Sequence, residues 1–157
     1  MSVTEGDRAP AFDLPATGGR RVSLAGLAGR PFVLYFYPKA DTSGCTKEAC
    51  AFQEALSQFG KAGIEVIGVS KDKMPALEKF AAKYDLRFPL ASDEPGAVVE
   101  AYGAWIQKSM YGRKYMGIDR STFLIDQAGQ IARVWRGVKV PGHAKAVMDA
   151  AATLAES

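Results

Sequence analysis

The longest apolar run in the chain, Phe32-Val33-Leu34-Tyr35-Phe36-Tyr37, is bracketed by Pro31 and Pro38. It lacks the polar alternation of a half-exposed strand, so it reads as a central strand buried on both faces. Such a strand needs cover above and below, and the sequence that follows supplies it. After a polar loop at 39–45, Ala49, Phe52, Leu56 and Phe59 recur at spacings of three and four. That stripe predicts one amphipathic helix, ended by Gly60 and Gly63. Residues 64–70 form a second buried strand. Pro75 fits the first turn of a further helix with the stripe Leu77, Phe80, Ala81 and Tyr84.

The flanks complete the pattern. Residues 11–14 and 21–24 alternate like short strands around Thr17-Gly18-Gly19, an N-terminal hairpin. A short strand is expected at 88–90 and a helical turn at 96–102. Residues 105–120 read as irregular, mixing Trp105, Met110, Tyr111, Tyr115 and Met116 with Lys and Arg. Residues 121–126 and 130–135 flank the turn Gln127-Ala128-Gly129 as a second hairpin. Ala146, Val147, Ala150, Ala151 and Leu154 mark a closing helix. Strand–helix alternation followed by an antiparallel hairpin predicts an α/β chain, a mixed central sheet flanked by helices on both faces. A thioredoxin-like fold with an N-terminal β-hairpin extension fits this order. At 157 residues the expectation is a single domain, 1–157.

Composition removes several functions. Twenty basic and 17 acidic residues leave +3, and the basic pairs Arg20-Arg21 and Arg113-Lys114 are scattered, so no nucleic-acid partner is expected. No stretch approaches the ~20 apolar residues of a membrane span, and none precedes the fold as a signal peptide. The expected location is cytoplasmic, with no membrane partner. Two cysteines and one histidine exclude a disulfide-dense scaffold and cannot alone ligate a structural zinc, so no metal and no cofactor are expected. The arrangement left that uses both cysteines is a redox pair.

The loop between the first buried strand and the first helix is where chemistry is expected. Cys45 opens the helix, where free backbone N–H groups and the positive end of the macrodipole stabilise a thiolate. Thr42 lies three residues earlier, with its hydroxyl in reach of the sulfur or of an oxygen bound there. Pro38 ends the strand and walls the sulfur from bulk water. Taken alone, Cys45 reads as an inert buried residue; Pro38, Thr42, Gly44 and Cys45 together do not.

Pro38-Lys39-Ala40-Asp41-Thr42-Ser43-Gly44-Cys45-Thr46 resembles the P-x-x-x-T-x-x-C motif of peroxiredoxins. Residues 35–39, 45–50, 117–126 and 138–144 are similar to the Q-type, or bacterioferritin comigratory, subgroup. Ser43 departs from the proline usual there and is expected to loosen the loop without altering the chemistry. The resemblance implies a thiol peroxidase acting on hydrogen peroxide and small organic hydroperoxides. It implies that Cys45 attacks the peroxide, that Arg120 holds the thiolate and binds peroxide oxygen, and that thioredoxin or a similar dithiol recycles the enzyme. A sulfenic acid condenses with a nearby thiol, and Cys50 is the candidate. Residues five apart on a helix lie roughly 8–9 Å apart at Cα, whereas a disulfide tolerates no more than ~7 Å. The first helical turn is therefore expected to unwind before Cys50 resolves Cys45. Resolution within one chain requires no second copy, so a monomer is expected. His143 reads as a capping or structural residue. Two rivals stay open: a protein dithiol–disulfide oxidoreductase, although its motif has two residues between cysteines and this chain has four, and a peroxide-sensing, redox-regulated binding module.

Overall fold

The computed structural model describes residues 3–155. The apolar run forms β3 (Phe32–Phe36), with β1 (Asp13–Ala16) and β2 (Arg20–Ser23) before it. There follow α1 (Ser43–Glu54), α2 (Leu56–Lys61), β4 (Glu65–Ser70), α3 (Met74–Tyr84), β5 (Leu90–Ser92) and α4 (Ala97–Ala101). The chain ends with β6 (Trp105–Met110), β7 (Arg113–Ile118), β8 (Ser121–Ile125), β9 (Ile131–Trp135) and α5 (His143–Ala155). Seven strands make one mixed sheet in the order β2-β1-β5-β4-β3-β8-β9. β3 is parallel to β4 and antiparallel to β8.

All five residues of β3 are buried, and the two-residue pleat sorts them. Phe32, Leu34 and Phe36 join a core with Tyr102, Phe123 and the N-terminal segment. Val33 and Tyr35, with Tyr37 beyond the strand, join the core that takes in α1, α3 and α5. Both faces carry helix, but unequally: the first core has only α4 and a 3-10 turn (Ala25–Leu27).

Three details differ from the sequence reading. The stripe from Ala49 to Phe59 belongs to two helices, because the helix breaks at Ala55 (φ −87°, ψ −1°). Gly60 lies inside α2, and Gly63, at φ +74°, is the terminator. The short strand sits at Leu90–Ser92, beyond Pro89, which has no N–H for a ladder. Residues 105–118, expected to be irregular, form the β6–β7 hairpin, a two-stranded sheet of its own. Its loop is Tyr111-Gly112, with φ +51° and +78°. Two positive φ values define a primed turn that usually carries Asn-Gly, and a tyrosine in the first place gives no such signal.

Candidate active site

The C-terminal end of β3 delivers the chain into the 38–42 loop. That loop is tied down from both sides. The Ala40 N–H donates to Asp72 at 2.7 Å, and Asp41, held at φ +60°, accepts from Lys83 Nζ at 3.1 Å and from the Tyr84 hydroxyl at 3.0 Å. These bonds fix where α1 starts. Thr42 is its N-cap residue, extended at φ −90°, ψ 159°, and the Thr46 N–H donates to the Thr42 carbonyl at 2.8 Å. Cys45 thus sits in the first turn, where amides have no intrahelical acceptor.

The Cys45 sulfur is buried at 1% exposure, and Arg120 Nη2 donates to it at 3.3 Å. Arg120 lies between β7 and β8, and β8 pairs with β3 through Ser121 opposite Phe36, so sheet register carries the guanidinium to the helix start. Gly44 leaves room for it: a Cβ there would lie 3.1 Å from Arg120 Nη2. The other arm of the guanidinium, Nη1, donates to Glu48 Oε1 at 2.6 Å. Glu48 is a carboxyl at 1% exposure whose Oε2 has no hydrogen-bond partner among the described residues. One cation therefore serves both the sulfur and a buried acid.

Glu48 is the functional residue that sequence reasoning missed. Its signal was position, since residues three apart share a helix face; it stands one turn beyond Cys45, directly before the buried Ala49. Thr42 and Pro38 lie on the rim instead. The Thr42 hydroxyl donates to the Lys39 carbonyl at 2.8 Å rather than to the sulfur, which leaves its lone pairs free to accept. Pro38 is exposed and lines a cleft of about 360 Å³ with Trp105, Ile118 and Lys71. Cys45 itself is packed into the core with Tyr35, Tyr37, Ala49 and Phe52. Cys50 is half-buried on the same unbroken helix, no disulfide joins it to Cys45, and burial followed by the Glu54 carboxylate pushes the Cys50 thiol up.

His143, far away in sequence, is close in space. Its Nε2 is 2.8 Å from the Thr122 hydroxyl, and its ring packs edge-on against Phe52 and Trp135. Burial, then the charge of Arg120, pushes it down to about 4 from 6.5. Glu48 moves oppositely: burial lifts it from 4.5 to about 7 against the pull of Arg120. Between about 4.5 and 7 folded Glu48 keeps a proton that the unfolded chain releases, so its contribution is lost as pH rises through 7. Between about 4 and 6.5 the unfolded chain holds a His143 proton that the fold lacks, so stability is lost as pH falls. Each effect is worth about 3 kcal/mol across its window, and the two oppose each other where they overlap. In urea melts across the overlap, Glu48→Gln should lose stability on acidification relative to wild type and His143→Gln should gain it. Parallel profiles for all three proteins would contradict both assignments.

Among the described residues no group of three or more His, Cys, Asp or Glu is placed to hold a metal ion, and no helix is long and apolar enough to cross a membrane. The sequence profile of the AhpC/TSA family matches residues 5–134. The bcp protein of Coxiella burnetii is 50% identical over 148 residues, covering 94% of this chain and 98% of that protein. Peroxiredoxin Bcp of Xanthomonas campestris is 45% identical over 144 residues, 90% of each. The solved structure of Xanthomonas campestris Peroxiredoxin Q superposes with a TM-score of 0.88 at 43% identity, covering 92% of this chain and 91% of that one. A cysteine-to-serine mutant of that protein gives 0.91 at 40% identity over 98% and 99%. These likenesses cover most of the chain, and the chain belongs to the AhpC/TSA family, as a peroxiredoxin of the Bcp or Q type.

Proposed function

We propose that this peroxidase reduces hydroperoxides through Cys45, with Cys50 as the resolving thiol and a thioredoxin-like dithiol as reductant. The observation that carries the reading is the Arg120 guanidinium on the Cys45 sulfur at the first turn of α1. A fixed, always charged fork beside a sulfur at a helix N-terminus favours the thiolate, which is the nucleophile. The thiolate attacks one peroxide oxygen, forming an S–O bond as the O–O bond breaks. The leaving alkoxide or hydroxide takes a proton and departs as alcohol or water. Donors already aimed at that developing charge lower the barrier without reorganising: Arg120 and the free amides of the first turn supply them, while Thr42 accepts from the peroxide hydroxyl. The Cys45 sulfenic acid then condenses with the Cys50 thiol, releasing water and leaving a disulfide. An external dithiol exchanges with that disulfide and restores both thiols. A cytoplasmic, monomeric enzyme fits a disulfide formed within one chain.

The alkyl peroxide reduction activity of Xanthomonas campestris bacterioferritin comigratory protein, whose solved structure superposes with a TM-score of 0.88, supports organic hydroperoxides among the substrates. The arrangement disfavours a protein dithiol–disulfide exchanger, because a partner disulfide needs an exposed sulfur and Cys45 is buried.

Trapping tests the assignment. One equivalent of peroxide should convert the wild type to a Cys45–Cys50 disulfide that thioredoxin reduces. Cys50→Ser should stop at a sulfenic acid that a carbon-acid trapping reagent labels on Cys45. Label on Cys50 in the wild type, or a disulfide linking two chains, would overturn the proposal.

A further inference from the structure

Every exposed large apolar side chain among the described residues lies on the β6–β7 hairpin: Met110, Tyr111, Tyr115 and Met116, with Tyr111 at 99% exposure. Every residue from 109 to 116 is exposed. The hairpin is also where the charge is unbalanced. Between residues 105 and 118 stand Lys108, Arg113 and Lys114 and no Asp or Glu, an excess of three that equals the net +3 of the whole chain. None of the three pairs with a carboxylate among the described residues. Register mixes the two kinds of side chain. Lys108 stands opposite Tyr115 and Met110 opposite Arg113, so apolar and cationic groups share a face. At the tip Tyr111 is held at φ +51°, a strained choice for a bulky residue that packs on nothing.

We infer that this hairpin docks the protein on an anionic phospholipid surface. Tyrosine and methionine at a convex tip suit the boundary between headgroups and acyl chains, where an amphipathic ring keeps one end wet. Unpaired Lys and Arg beside them are attracted by anionic headgroups. Charge complementarity selects the anionic lipid, and shape selects lipid over protein. The exposed ribbon is two strands wide and ends in a two-residue tip, a convex shape that enters a headgroup layer without needing a matching pocket. Among the described residues no helix is long and apolar enough to cross a membrane, and binding at the surface needs none. β7 runs through Asp119 into Arg120, so a docked hairpin brings the rim of the Cys45 site to the lipid.

Cosedimentation of the full-length protein with unilamellar vesicles tests this, and it reads lipid binding rather than peroxidase chemistry. The wild type should pellet with vesicles of phosphatidylcholine and phosphatidylglycerol but not with phosphatidylcholine alone, and salt should weaken it. Lys108→Gln/Arg113→Gln/Lys114→Gln should bind at least about tenfold more weakly, and Tyr111→Ser should fall between the two. Both variants should turn over hydrogen peroxide at the wild-type rate, which shows the fold intact. Equal binding to both vesicle types, no binding to either, or wild-type binding by the triple variant would overturn the inference. Absence of vesicle binding alongside salt-sensitive binding of the wild type alone to thioredoxin would assign the hairpin to a protein partner instead.

Discussion

Cys45→Ser is expected to consume no hydroperoxide above the uncatalysed rate, a loss of at least about 10⁴-fold. A serine hydroxyl does not ionise near neutral pH, and the guanidinium of Arg120 then faces a neutral oxygen. No other group takes over. Cys50, the second thiol, is only half-buried, burial and then the Glu54 carboxylate push its thiol up, and among the described residues no cation donates to it. The substitution is nearly isosteric, and the serine oxygen can still accept from Arg120, so circular dichroism and the urea midpoint should barely change. Stopped-flow peroxide consumption coupled to thioredoxin is the measurement. Activity surviving in Cys45→Ser would falsify the assignment of the nucleophile.

The second large effect is expected at Arg120. Arg120→Ala removes the donor 3.3 Å from the sulfur and the cation paired with Glu48. Loss of one fixed donor aimed at developing charge typically costs about 10²–10³ in rate, and that range is expected for the attack on peroxide. The fold should survive, because burial already favours neutral Glu48 and the carboxyl stays protonated when its partner goes. Arg120→Lys should recover only part of the rate. An ammonium is a point charge that sits on the sulfur or on the carboxyl, while the guanidinium serves both through a rigid fork. The second-order rate with hydrogen peroxide measured for the three proteins decides it. Arg120→Ala within tenfold of wild type would remove the residue from the chemistry.

The sheet was legible in the sequence because its strands are buried. Residues 32–36 are apolar without interruption, and Val66-Ile67-Gly68-Val69 and Phe123-Leu124-Ile125 are apolar runs inside the next buried strands, which few other structures accommodate. The helix at Met74–Tyr84 was legible through Pro75 and the Leu77–Phe80 stripe. The β6–β7 hairpin was not, because its outer half contacts little and no core pattern was imposed on it. Its turn residue, Tyr111, obeys no turn preference. The break at Ala55 was hidden for another reason: neither Gly nor Pro marks it, and the apolar stripe reads straight through. At the site, Cys45, Thr42 and Pro38 were found as a local motif. Arg120 was found only by resemblance, since its place depends on β8 lying beside β3. Glu48 was missed because a charged residue on a helix reads as solvated, and only the fold turns it inward.

The break at Ala55 reaches further than the shape of the helix. It makes α1 a short element of 12 residues, with α2 already a separate one. If Cys50 resolves Cys45, the first turns of α1 can open while α2 keeps its hold on the core through Phe59. The closed helix then acts as a delay. While it stays wound, the sulfenic acid waits beside the peroxide site, where a second hydroperoxide oxidises it irreversibly to sulfinic acid. The stability of a few helical turns thereby sets the ratio of turnovers to inactivation events, and sequence changes that lengthen or stiffen α1 trade endurance under high peroxide for a more rigid site.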